Sequence, residues 1–189
     1  MDSGPVVGTE CFSINSSDTA ATLHYKNLVS FVNIVKAHWN VWQGGSLAAV
    51  PQKEGRASFY PKRAPQEGII DWNDDVYAIE RLVRAVTMPF FGAYSYLNAV
   101  KVTIYRAAVF YTDLEVHSFR TAAAGEICDV FPNGKFLVKA SGGVLIVHEY
   151  EPSDAGPDWI VPRSRLSSPE SEIKIFERNR HGFFDIEAE

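Results

Sequence analysis

Apolar residues recur at spacings of three and four in two stretches of the chain and alternate with polar ones in several others. The first period is that of one helix face and the second that of a half-buried strand. Leu28, Phe31, Val32, Val35, Trp39 and Trp42 make one stripe. It predicts a long helix, opened by the turn and cap Asn15-Ser16-Ser17-Asp18 and ended by Gly44-Gly45, and the stripe reads as core rather than as a cofactor contact. Val76, Ile79, Leu82, Val83 and Val86 predict a second helix. There Asn73 is the expected N-cap, Asp74 and Asp75 sit in the first turn where the dipole favours them, and Pro89 is the stop. Glu80 and Arg84 lie four apart on the opposite face and can pair.

Strand patterns flank these helices. Val6 to Ile14 reads as an apolar strand and Ala57 to Tyr60 as a short one. After Gly92 come five candidates: Tyr94 to Leu97, Lys101 to Tyr111, Gly125 to Val130, Phe136 to Ala140 and Val144 to Tyr150. Gly, Asn and Pro turns separate them, and five short strands suit a small OB-like barrel. The chain before the joint at Tyr60 to Ala93 therefore reads as α/β and the chain after it as β. From Glu151 onward prolines leave Ile173 to Phe176 as the only long periodic piece, and nine acids against five bases leave that stretch at −4. It is expected to be an acidic extension, partly ordered at best.

Composition narrows the function classes. With 46% hydrophobic and 22% charged residues in 189, the chain is globular and holds one domain or two small ones. No apolar run reaches the roughly 20 residues a bilayer requires, and no signal peptide is visible. Cys11 and Cys128 lack metal-ligand spacing and read as two small buried hydrophobes in a reducing compartment, so a cytoplasmic location is expected. The net charge of −5 argues against a nucleic-acid partner. His24, His38, His117 and His148 show no ligand spacing with a carboxylate or cysteine, so no metal site is expected. Asn179-Arg180-His181 stands alone in the acidic tail.

A resemblance rests on motifs in order. Arg63-x-Pro65-x-x-Gly68-x-Ile70-Asp71-Trp72, Arg84-Ala85-Val86-Thr87, Pro89, Gly92-Ala93-Tyr94 and Lys101-Val102-Thr103-Ile104-Tyr105-Arg106-Ala107 are similar to the formyltransferase family. So are Asp2-x-Gly4-Pro5-Val6-Val7 and Asp18-Thr19-Ala20-x-x-Leu23-His24-x-Lys26-x-Leu28. The family includes methionyl-tRNA formyltransferase and sugar-amine formyltransferases, and the likeness runs over roughly residues 1 to 150. It implies an α/β remnant of a Rossmann-like catalytic domain over residues 1–56 and a linker loop and helix over 57–87. An OB-like C-terminal domain over 88–150 and the extension 151–189 would follow.

The same resemblance implies a 10-formyltetrahydrofolate donor, a primary-amine acceptor and a catalytic Asn, His and Asp. Asp2 matches the Asp, which would hold the imidazole of the base and stabilise its protonated form. The Asn and His, and the loop that follows them, have no match here. The chain is therefore expected to lack most of the folate pocket, to resemble the C-terminal part of a longer enzyme and to be inactive alone. Arg63 and Arg84 are the candidates for a phosphate or nucleotide of the acceptor, with ion pairing to Glu67, Asp71 or Glu80 as the structural alternative. Charges from Met88 to Tyr150 cancel, which favours an amino-sugar nucleotide over transfer RNA as acceptor. The other reading is a non-catalytic OB-like binding module. In a third, unrelated barrel, Tyr94, Tyr96, Tyr105, Phe110 and Tyr111 would offer aromatic faces to a ligand.

Overall fold

The computed structural model describes residues 4–45, 48–52, 64–113, 116–152 and 159–173. Two compact units divide the chain: Met1–Tyr60 with Phe183–Glu189, and Pro61–Gly182.

The first unit is built on helix α1 (Ala20–Gln43). Its cap is one residue beyond the expected turn. Thr19 Oγ1 accepts from Thr22 N–H at 3.3 Å, and Thr22 Oγ1 accepts from Thr19 N–H at 2.8 Å, a reciprocal box that satisfies two donors of the first turn. Asp18 sits beneath it, 6% exposed, accepting from Asn15 N–H at 2.8 Å, Thr22 Oγ1 at 3.0 Å and Lys26 Nζ at 2.7 Å. The Lys26 ammonium, then the Asn15 amide, pull its carboxyl down to about 2.

The stretch before α1 departs from expectation. Val6 to Ile14 is not a strand: Val6 and Val50 exchange two backbone hydrogen bonds at 2.8 and 2.9 Å, and no ladder extends from that bridge among the described residues. The segment instead runs beside α1. Asn33 Nδ2 donates to Glu10 at 2.9 Å, and Lys26 Nζ donates to the Ser13 carbonyl at 2.9 Å. The stripe on α1, expected as core, is also corrected. Leu28, Phe31, Trp39 and Trp42 are 53, 63, 52 and 39% exposed, because no described element packs over that face. Cys11 is exposed rather than buried. The strand expected at Ala57 to Tyr60 lies outside the described residues.

The second unit opens with a 3₁₀ turn (Pro65–Gly68) and helix α2 (Val76–Val86). Asp75, not Asn73, is the N-cap, its carboxylate accepting from Tyr77 N–H at 2.9 Å. Val76, Ile79, Val83 and Val86 are buried, as their spacing predicts. Five strands follow: β1 (Ala93–Leu97), β2 (Val100–Val109), β3 (Ile127–Val130), β4 (Phe136–Ala140) and β5 (Gly143–Pro152), with the short helix α3 (His117–Thr121) between β2 and β3. All pairs are antiparallel in the order β1-β2-β5-β4-β3. Alternate residues Val102, Ile104, Val138, Ala140, Leu145 and Val147 turn inward and meet the apolar face of α2.

Residues 159–168, within the stretch expected to be a partly ordered extension, join the two edges of this sheet. On one side Ile127 N–H donates to Ser164 O, Arg163 N–H to Ile127 O and Leu166 N–H to Gly125 O, each at 2.8 Å. On the other, Tyr96 and Ser167 exchange two backbone bonds at 2.8 Å. One short segment thus covers the unpaired N–H and C=O groups of β3 and β1, the groups that otherwise invite aggregation. Ile160 and Leu166, 6 and 1% exposed, anchor it in the core. Gly125, at φ +81°, lies so close to the Leu166 carbonyl that any side chain would overlap it.

Candidate functional site

Of the three residues singled out from sequence, Asp2 and Arg63 lie outside the described residues. Arg84 projects from α2, and its Nε donates to Glu80 at 2.6 Å, with the two side chains 21 and 19% exposed. The i,i+4 pairing expected from their spacing is therefore formed. Trp72, also in the motif, is 4% exposed, and its Nε1 donates to the Ser95 hydroxyl at 2.9 Å, a core anchor.

Among the described residues of the second unit, two clefts stand out. One, of about 190 Å3, is lined by Pro65, Gly68, Val86, Phe90, Phe91 and Gly92 and carries no polar side chain. Gly92, at φ +80°, turns the chain into β1, with Thr103 and Tyr105 packed where a side chain would stand. Phe90 and Phe91 are 49 and 69% exposed beside it.

The other cleft, of about 450 Å3, lies between β2, β5 and the Asn133-Gly134 turn. A β-bulge in β2 creates one wall. Ile104 pairs with Tyr150 and Arg106 with Glu149, which leaves Tyr105 without a partner residue on β5. Tyr105 lines the cleft, and its hydroxyl donates to Glu151 at 3.1 Å. Across from it, Tyr150 donates to the Gly134 carbonyl at 3.0 Å, and its ring stands edge-on to Phe136 at 5.1 Å. Glu149 accepts from Arg106 at 2.7 Å. His148 also lines the cleft; its Nδ1 is buried without a hydrogen-bond partner. Burial first, then the charges of Arg106 and Lys135, hold this imidazole below its ordinary range, so it is neutral near pH 7. Sequence reading named Tyr105, weighed His148 only as a metal ligand, and did not single out Asn133, Glu149 or Glu151. Nothing in the sequence alone placed these residues together.

On a third surface, Tyr94 and Tyr96 hydroxyls both donate to Glu172, at 2.7 and 3.3 Å, in the helical turn that starts at Glu170. Burial, then Glu172, raises the Tyr94 phenol, and Lys101 Nζ lies 4.0 Å over its ring. These tyrosines tie the chain after the edge segment to β1 and are not open ligand faces.

A family profile described as formyl transferase, C-terminal domain, matches residues 62–157. The chain belongs to the formyl transferase family. Solved structures extend the likeness at the level of fold. A HypX variant from Aquifex aeolicus has a TM-score of 0.65 at 19% identity, over 81% of this chain and 26% of HypX. HypX crystallised with tetrahydrofolic acid gives 0.64 at the same identity, over 25% of that protein. The N-formyltransferase from Helicobacter canadensis, crystallised with folinic acid and dTDP-3-aminofucose, gives 0.55 at 15% identity, over 80% of this chain and 52% of that one. The chain thus spans about a quarter of HypX and about half of the N-formyltransferase. Coverage of 81% reaches beyond the residues matched by the family profile.

The smaller cleft does not fit a formyl-folate donor. A pteridine needs hydrogen-bond partners along its ring edge, whereas the smaller cleft offers only apolar side chains and lies below the roughly 300–1,000 Å3 of ligand sites. Among the described residues no group of three His, Cys, Asp or Glu could hold a metal, and no helix is long and apolar enough to cross a membrane.

Proposed function

We propose that this chain is the C-terminal portion of a folate-dependent formyltransferase, which moves a formyl group from 10-formyltetrahydrofolate to a primary amine. One observation carries the reading: likeness to larger solved structures, an N-formyltransferase among them, covers 80–81% of the chain, while the apolar face of α1 carries Phe31 and Trp39 more than half exposed. That face is suited to packing against the folate-binding half of a catalytic domain, with residues 1–56 as the α/β remnant of its Rossmann-like fold. The sheet joined at both edges is read as OB-like. Asp2 would supply the carboxylate behind a histidine base carried by the other half, and Arg63 and Arg84 would approach the acceptor. The chain alone, without that base, is expected to be inactive, and a cytoplasmic location suits a folate enzyme.

An amino-sugar nucleotide is the favoured acceptor. Support comes from the balanced charge between Met88 and Tyr150, which leaves no net positive charge for transfer RNA, and from the dTDP-3-aminofucose held by the Helicobacter relative. The test is formyl transfer from 10-formyltetrahydrofolate to dTDP-amino sugars and to methionyl-tRNA. The purified chain should give none, and mixing it with the separately expressed folate-binding half of a relative should restore transfer that Asp2→Ala abolishes. Transfer by the chain alone would overturn the claim of inactivity. A mixture that stays inactive and unassociated would favour a non-catalytic binding module, which the polar cleft on the second unit also suits.

A further inference from the structure

We infer that the cleft between β2, β5 and the Asn133-Gly134 turn is a carbohydrate-binding site, one that takes a neutral pyranose ring. The inference stands apart from formyl transfer and holds whether or not the chain forms part of a transferase. Its first support is shape. At about 450 Å3 the opening falls within the range of ligand clefts, and it is walled by two tyrosines. The bulge at Tyr105 removes that residue from regular pairing, and the strand places it where its ring can meet the C–H face of a sugar. Thr87 Oγ1 donates to the Tyr105 carbonyl at 2.7 Å and fixes the backbone of the bulge.

The second support is the polar complement around those rings. Glu151 accepts one hydrogen bond, from Tyr105, and an ionised carboxylate has about four acceptor positions, enough for two neighbouring sugar hydroxyls. The Asn133 Oδ1 accepts from Lys135 N–H at 3.2 Å, and its amide nitrogen donates to no partner among the described residues. The cleft therefore offers donors as well as acceptors, the pattern a hydroxyl group matches in both roles. Arg106 pairs with Glu149 at 2.7 Å, and the charges of Arg106 and Lys135 reach His148, so the two carboxylates do not stand as an unopposed negative field. Nucleic acid is disfavoured by the two carboxylates, and a lipid chain by the lining of tyrosine, histidine and glutamate.

The test is saturation-transfer NMR on the full chain with glucose, galactose, mannose and N-acetylglucosamine, followed by amide shift mapping of the labelled protein. At least one sugar should bind with a Kd on the order of 1 mM, and shifts should gather at Tyr105, Asn133, Gly134 and His148 to Glu151. Tyr105→Ala should weaken binding about tenfold, Glu151→Gln about fivefold, and Tyr105→Phe, which keeps the ring, by about twofold. Failure of all four sugars to receive saturation, or shifts that gather elsewhere, overturns the proposal. If Tyr105→Ala does not fold, Tyr105→Phe, Glu151→Gln and the wild-type shift map still decide it.

Discussion

Trp72 Nε1 donates to the Ser95 hydroxyl at 2.9 Å, and that hydroxyl donates onward to the Ser167 carbonyl at 2.9 Å. Three segments far apart in sequence meet at one buried oxygen: the loop before α2, strand β1 and the segment that joins the sheet edges. Ser95→Ala removes the acceptor and leaves the indole N–H unpaired, whereas the Ser167 carbonyl keeps its bond from Tyr96. A stranded buried donor costs about 1–3 kcal/mol, so urea unfolding should show a loss of that size. Trp72→Phe in the Ser95→Ala background should then cost less than it does in the wild type. Additive losses would show that the pair is not coupled.

The edge-joining segment should be essential to the second unit. Leu166→Ala deletes a fully buried side chain and is expected to cost about 2–5 kcal/mol. Gly125→Ala imposes both a left-handed backbone and a clash with the Leu166 carbonyl, for a loss of about 2 kcal/mol or more. Ending the chain at residue 158 should bare the edge of β3 and the Tyr96 end of β1 and cause aggregation, read by light scattering. A soluble monomeric product of that truncation would show that the segment is dispensable.

How much of this was legible in the sequence depended on where each residue's partners lie. The five strands and α2 were legible because their alternation and spacing serve a core that these residues bury themselves. The stripe on α1 has the same period, yet Phe31 and Trp39 face outward: periodicity reports that a face is apolar, not that a partner is at hand. Leu166 and Ile160 were hidden among prolines and charges, since a segment held by backbone bonds to two sheet edges needs only isolated apolar anchors. The polar cleft was illegible for a related reason. Tyr105 and Glu151 are 46 positions apart and meet only through the bulged register of β2 on β5.

Arg84 separates two roles by experiment. Its pair with Glu80 is partly exposed and of the i,i+4 kind, worth about 0.3–0.5 kcal/mol. Arg84→Met should therefore shift the unfolding midpoint only slightly. A role in holding the acceptor predicts a raised acceptor KM in the reconstituted transferase, with kcat and stability little changed. Unchanged KM would confine Arg84 to the surface of α2.

The two cysteines should differ sharply in reactivity. Cys11 is exposed, whereas burial, then the charge of Glu126, pushes the half-buried Cys128 thiol up to about 11. At pH 8 only roughly one Cys128 in a thousand is thiolate, the reactive form. Titration with a disulfide reagent should show one fast thiol and one slow thiol, the slow one released by unfolding. Cys11→Ser should remove the fast phase alone, and two equal phases in the wild type would contradict the assignment.

Acid should weaken α1 at its N-terminus first. Asp18 carries the hydrogen bonds of Lys26, Asn15 and Thr22, and its folded-state carboxyl titrates at about 2, below the ordinary value of 3.8. A lowered folded value means that the ionised form stabilises the fold fully above about pH 4, and that this contribution fades as pH falls towards 2. Other carboxylates titrate in the same window, so the informative quantity is the difference between wild type and Asp18→Asn. Helical circular dichroism during thermal melting should show the wild type more stable at about pH 6 and the two chains converging at about pH 2. Lys26→Met should narrow the gap by removing the strongest partner. A wild-type advantage that is constant across that range would mean that Asp18 caps the helix without its charge.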